Sequence, residues 1–449
     1  MNKQEFRAAA SLAGVFSLRM LGLFLIYPVF AAYARHLAGA TPYTIGLALG
    51  IYGLSQGLLQ IPFGMLSDRL GRKPMIVAGL LLFAFGSAVA ARAASIDGVI
   101  LGRVLQGAGA VGAVILALVA DLTGEESRTK AMAMIGITIG ASFMIALVCG
   151  PIVAGIVGVG GIFWLMCVLA LLGIAVVLFL VPSPAGLHVH RDAETVPASL
   201  TAVLKNGELL RLDFGIFALH AMLTASFLVI PGLLHARLHV DSRNQWFVYL
   251  PVLLLSVAVM IPAIVFAERR RRMKAVFVGA VAAIAVSQLL LVGDSRNVYV
   301  LLGAITLFFS GFNILEASLP SLVTKAAPTA AKGTATGIYS SSQFLGIFAG
   351  GVAGGWIHQV ARSGGVFAWS AAIAALWQLI AATMKRPSHL TTRMIRIPGT
   401  GKIDEQALGA RFRAVAGVAD AVVVGDERIA YLKVDTRSFD ARSAQAIAG

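Results

Sequence analysis

Charge is scarce in this chain: Asp, Glu, Lys and Arg make up 13% of 449 residues, against about 25% in an ordinary soluble domain. So little charge cannot clothe a water-facing surface of this size. Cysteine is almost missing, with only Cys149 and Cys167, both inside apolar runs. Neither a disulfide framework nor a cysteine-based metal centre is therefore suggested. No G-x-x-x-x-G-K-(S/T) run occurs, so energy is expected from a gradient and not from a nucleotide. No segment gathers a nucleophile, a base and oxyanion donors, and an enzyme is not expected.

What fills the space is apolar, at 58% of residues. A spanning helix needs about 20 such residues, because lipid offers no partner to an unpaired backbone N–H or C=O. Twelve runs qualify, at about 9–33, 44–66, 74–92, 98–120, 131–156, 160–181, 211–234, 245–267, 275–293, 298–322, 333–358 and 365–384. "AYA" at 32–34 could pass for a signal-peptide cleavage site. The run before it is too long, is interrupted by Arg19 and leads into eleven more spans, so retention is expected.

The formal charge of +15 could suggest nucleic acid, but its placement argues for topology instead. With the N-terminus inside, inner connections hold nineteen Lys and Arg and outer ones six, so both termini are predicted cytoplasmic. No nucleic-acid partner is expected.

Sliding the chain by 200 positions lays Asp68-Arg69 on Glu268-Arg269, Arg72 on Arg272, Gly150 on Gly350 and Gly155 on Gly355. Six spans repeat as six, which keeps both halves in one orientation around a central site. The expected domains are 1–182, a polar cytoplasmic linker at 183–209, 210–386, and a small domain at 387–449. In the linker, "HVH" at 188–190 lacks further ligands and reads as solvated. The last segment alternates like strands in "TRMIRI", "VADAVVVG" and "IAYLKVD", with an amphipathic helix after the first. The order β, α, β, β, helix predicts a ferredoxin-like domain lacking its last strand.

"GMLSDRLGRKP" at 64–74 packs four charges and two glycines between apolar runs. Gly64 is expected to let helices approach, and Gly71 to make the tight turn that Pro74 closes. Arg69, Arg72 and Lys73 obey the inside-positive bias. Asp68 contributes nothing to topology and suits a latch, paired with an arginine or with the positive N-terminus of a helix in the other half.

An ionisable group inside a span is a functional candidate by default. Arg19, at about 15 Å into span one, and His220, at about 14 Å into span seven, fall near the midplane. Arg103 is shallower and could instead tie down backbone carbonyls. Phe309, Phe312, Asn313, Glu316 and Pro320 share one face of span ten, and Glu316 could take up and release a proton. Tyr27, Gln56 and Gln60 complete the candidate pathway. In span five, Gly140, Gly150, Pro151 and Gly155 read either as a bend or as a tight seal between halves.

"GMLSDRLGRKP" resembles the signature G-x-L-(A/S)-D-R-x-G-R-(K/R)-x of the major facilitator superfamily. "RVLQGAGA" at 103–110 is similar to that family's span-four arginine motif, and "GASFMIALVCGPIVAG" at 140–155 to its antiporter motif, with the double glycine incomplete. The runs "VFSLRMLG", "GIYGLSQGLLQIPFG", "DLTGEESRTKAMAMIG" and "YSSSQFLGIFAGG" resemble a bacterial inner-membrane branch that also carries a C-terminal ferredoxin-like domain. The resemblance implies that Asp68 is held near the start of span eleven. It also implies that Arg72 links to Asp121 with Arg128 in the same cluster, and that this network favours the outward-open state.

The expectation is an all-α membrane protein of the major facilitator fold with a small α+β C-terminal domain. It would be a monomer in the lipid bilayer, with no cofactor or metal, exchanging protons for small amphipathic solutes. The rivals are a nutrient symporter or uniporter on the same scaffold, and a membrane sensor signalling through its C-terminal domain.

Overall fold

The computed structural model describes residues 1–182, 197–293, 297–328, 331–385, 390–399, 403–425, 428–435 and 438–448, without the side chains of 125, 126, 128, 129, 197–199 and 390–392. The "HVH" run and Arg296 lie outside the described residues.

The first half comprises α1 (Lys3–Leu25), α2 (Phe30–Ala34), α3 (Pro42–Leu70), α4 (Arg72–Arg92), α5 (Ile96–Ala108), α6 (Gly112–Leu122) and α7 (Glu125–Phe179). A short helix α8 (Pro197–Leu204) lies in the stretch read as a linker. The second half comprises α9 (Gly207–Leu238), a 3-10 turn (Ser242–Asn244), α10 (Trp246–Arg269), α11 (Met273–Val292), α12 (Val298–Ala326) and α13 (Lys332–Ala382). Among the described residues, ten helical stretches are long and apolar enough to cross a membrane. Two of them, α7 and α13, each hold two of the expected spans, separated where the backbone leaves the helix at Gly158 and at Arg362.

Two expected spans are not single helices. Span one ends at Leu25 and resumes at Phe30, since Pro28 cannot continue the hydrogen-bond ladder. Span four breaks between Ala108 and Gly112, within a glycine-rich run, and Gly109 sits there against the backbone carbonyl of Gly79.

The repeat is written in the backbone as well as the sequence. Positive φ occurs at Gly39 (75°), Gly71 (93°) and Gly158 (69°), and again at His239 (55°), Arg271 (54°) and Arg362 (56°). Side-chain-bearing residues at three of these turns carry strain that glycine would not, of the order of 1–2 kcal/mol each. Arg362 is exposed, so its guanidinium is not needed for packing. Replacing Arg362 with Gly should raise stability by about 1 kcal/mol, seen as a later loss of monodispersity on heating in detergent.

The halves meet at the end opposite the charged turns 69–73 and 269–274. Along α3 and α13, Gly46 faces Gly351 and Gly355, Gly50 faces Phe348, and Gly53 faces the carbonyl of Phe344. Removing side chains lets the two backbones touch, where van der Waals packing replaces the hydrophobic effect that lipid cannot supply. The Tyr43 amide donates to Gln359 (3.3 Å) and Gly155 abuts Arg243 at the same end. Nearest the charged turns, the Ser341 hydroxyl donates to the Gly57 carbonyl (3.1 Å). Beyond Gly57 the exposure of α3 rises, with Met65, Leu66 and Leu70 all exposed. This conformation is closed at the far end.

The C-terminal elements are β1 (Leu390–Arg396), α14 (Glu405–Arg413), β2 (Val418–Val424), β3 (Ile429–Asp435) and α15 (Ala441–Ala448), in the expected order. The sheet is antiparallel with β3 central, and Phe412 of α14 packs into its core. From β3, the Lys433 ammonium donates to the carbonyls of Lys325 (3.1 Å) and Ala327, at the C-terminal end of α12. Those carbonyls have no intrahelical partner and carry the negative end of the helix dipole. Burial, reinforced by nearby Lys332, holds this ammonium below its ordinary pKa.

Candidate functional site

The charged turn is built as the sequence suggests at Gly71, which closes α3 and opens α4. Arg72 is buried there and organises the corner: Nη1 donates to Ser67 Oγ (2.7 Å) and to Asp68, and Nε to Asp121 Oδ2 (3.1 Å). Lys73 donates to the Val181 carbonyl (2.8 Å), tying the turn to the end of span six. Arg69 is exposed, and the side chain of Arg128 lies outside the described residues. Gly64 makes only an ordinary contact, 3.7 Å from Ala113 to the Cβ it would carry, so its expected role in close approach does not hold. Asp68 does not reach the start of α13 among the described residues; with the halves apart at this end, its carboxylate turns to Arg72. In the second half, Glu268, which the repeat sets on Asp68, lies 3.7 Å from Lys325 near the end of α12.

Of the four span-five candidates, Gly155 is the one that meets the other half, at Arg243. Gly150 packs within its own half, against the Leu25 carbonyl, and Pro151 sits in unbroken helix. Gly140 is exposed and nothing would meet a Cβ there, so it neither seals nor bends.

Inside the first half, Arg19 Nη2 donates to Tyr52 Oη (2.7 Å) and Gln56 Oε1 (2.5 Å), and Gln56 Nε2 to Gln60 Oε1 (3.1 Å). Arg103 donates to the carbonyls of Ala48 (3.2 Å) and Leu49 (3.3 Å) and to Gln106 (3.0 Å), the backbone-tethering role considered for it. Tyr52 lies between the two cations, with guanidinium carbons 6.0 Å and 4.9 Å from its ring centre. Both arginines are 1% exposed and neither has a carboxylate partner among the described residues.

The second half holds the opposite charge. His220 Nδ1 lies 3.3 Å from the Ile216 carbonyl, to which it donates as N–H, leaving Nε2 to accept from Gln343 Nε2 (2.9 Å). The same Gln343 amide lies 3.4 Å from Glu316 Oε1, while Glu316 Oε2 has no hydrogen-bond partner and is 3.9 Å from His220 Nε2. Asn313 donates to Ser256 Oγ (2.8 Å) and thereby holds α12 to α10. The Glu316 side chain is 33% exposed.

Aromatic rings close the space between these clusters on the far side. Tyr27 meets Phe227 edge-on at 5.5 Å, Phe143 stacks on Phe312 at 5.6 Å, and Tyr52 meets Phe344 at 6.2 Å. Tyr27 thus belongs to the closure. Sequence reasoning missed Gln343, Tyr339 and Asp213; a span seven beginning at 211 leaves the last at its rim, whereas α9 begins at Gly207.

The Major Facilitator Superfamily model matches residues 12–351, and a YajR YAM domain model matches 392–440. The chain is 44% identical over 437 residues to the inner membrane transport protein YajR of Escherichia coli (strain K12), covering 97% of this chain and 96% of that protein. A class E tetracycline resistance protein of Escherichia coli is 33% identical over 141 residues, 31% of this chain and 34% of its own. Among solved structures, a bacterial homolog of the human lysosomal transporter Spinster, inward-facing and occupied, superposes with a TM-score of 0.70 at 12% identity, over 86% of this chain and 98% of that one.

Proposed function

The chain belongs to the Major Facilitator Superfamily, and from that premise we propose that it carries small amphipathic compounds out of a bacterial cell in exchange for protons. With the basic turns facing the cytoplasm, closure at the far end makes this an inward-facing state, open to cytoplasmic solute. The observation that carries the reading is Glu316: a carboxylate at mid-depth, on the cytoplasmic side of the aromatic closure, with one oxygen free to bind a proton. Solute binding at the ionised acid and protonation of it exclude one another, which is the requirement for exchange. The partial likeness to tetracycline resistance proteins points the same way.

The Asp68 corner supplies the switch. Here Arg72 holds Asp68 within its own half. When the halves rock and the basic end closes, Asp68 comes opposite the start of α13 and binds its positive end. The first step of the test is proteoliposomes with an imposed pH gradient and a panel of amphipathic solutes beginning with tetracycline. Accumulation against the proton flux, reversing when the gradient is reversed, is the expected result. Solute moving with the protons, or indifferent to them, would give the scaffold to a symporter or uniporter instead.

A further inference from the structure

Asp213 is a buried acid that the exchange reading leaves without a task. It stands about 9 Å into α9 from the basic end, is 6% exposed, and neither of its carboxylate oxygens has a hydrogen-bond partner among the described residues. Tyr339 on α13 is also buried, with an unpartnered hydroxyl, and α13 lies directly on α9 in this stretch, Gly346 meeting the Phe217 carbonyl. We propose that Asp213 is a second proton-binding carboxyl, lying between Glu316 and the cytoplasmic mouth, with the Tyr339 hydroxyl as the link between the two.

A structural role for Asp213 would show itself as an ion pair or a helix cap, and neither is present among the described residues. Arg211, the nearest cation in sequence, is engaged by Glu208. The titratable groups on the facing elements are Tyr339 on α13 and, deeper, the His220–Glu316 pair of α9 and α12. None of these is a fixed positive charge. An ionised carboxylate buried without donor or counter-ion is unfavourable, and a bound proton removes the penalty while supplying a donor of its own. A phenol both donates and accepts, so Tyr339 can pass a proton from one carboxyl to the other without itself being left charged. Asp213 lies nearer the basic end than Glu316, which meets Gln343 and His220 further along α13 and α9, and the proton released from Glu316 into the cytoplasm leaves past Asp213. The inference rests on the proton-exchange reading for its purpose, though proton binding at Asp213 is measurable by itself.

The experiment is pH-difference infrared spectroscopy of the purified full-length protein in detergent, without sodium, reading the carbonyl stretch of protonated carboxyls as parent-minus-variant spectra. Asp213→Asn and Glu316→Gln should each remove one distinct band. Tyr339→Phe should keep both bands but abolish the shift that loss of one carboxyl produces in the titration of the other. Asp213→Glu, a control for folding, should restore a band displaced from the parent's. An Asp213→Asn spectrum superimposable on the parent's overturns the proposal. So does an Asp213 band erased at constant pH by added sodium, which would make this a metal-cation site. A missing Asp213 band beside an unchanged Glu316→Gln spectrum would support the second carboxyl while sinking Glu316 as the exchanging acid.

Discussion

Glu316→Gln is expected to abolish the influence of a pH gradient on solute accumulation while leaving solute equilibration down its own gradient intact. The amide keeps the size of the acid and can still meet Gln343, so its packing beside His220 is undisturbed. It cannot bind and release a proton. An ordinary coupling free energy of about 1–3 kcal/mol makes one ligand worth about 5–150-fold in the affinity of the other. In Glu316→Gln that factor should fall to one, read as equal half-saturation for solute at acidic and alkaline internal pH. A preserved pH dependence would remove Glu316 from the coupling.

Gly53→Val should drive the protein out of the conformation described here. A Cβ at Gly53 would run into the Phe344 carbonyl and stand 3.1 Å from Ile347 Cβ. Both neighbours are fixed in helical backbone or its first side-chain atom, so neither can swing aside. Overpacking of this kind costs about 1–3 kcal/mol, and about 2 kcal/mol changes a two-state ratio by roughly 30-fold. The readout is crosslinking of Tyr43→Cys to Gln359→Cys, made after replacing Cys149 and Cys167 by Ala. These two positions are joined by a hydrogen bond when the far end is closed. Crosslinking should be efficient in the parent background and scarce with Gly53→Val, with Gly53→Ala between. Equal yields in all three would mean that the glycine seam does not hold the far end shut.

The sequence announced its large-scale order well, because membrane insertion forces backbone satisfaction into long apolar runs that cannot hide. Period-two alternation made the order of the C-terminal elements readable, whereas the Arg72–Asp121 pair was legible only through the family resemblance. Side-chain company was harder. Gly140 and Gly64 were given packing roles because glycine spacing alone does not say which face meets a neighbour, and here those faces are open or ordinary. Asp213 went unnoticed since a four-residue shift in where α9 begins moves it from the rim to the interior. Gln343 carried no signal at all: an amide in a span becomes meaningful only when folding brings His220 and Glu316 to its two sides.

The grip of Lys433 on the last carbonyls of α12 reaches further than a stabilising contact. At 29 residues that helix is a rod of about 43 Å, and Glu316 rides on it, with Pro320 as a softer joint in between. Traction applied at one tip is delivered as tilt at the other. Reciprocity then binds both ends: by whatever factor seating the C-terminal domain alters proton affinity at Glu316, loading that proton must alter the seating by the same factor.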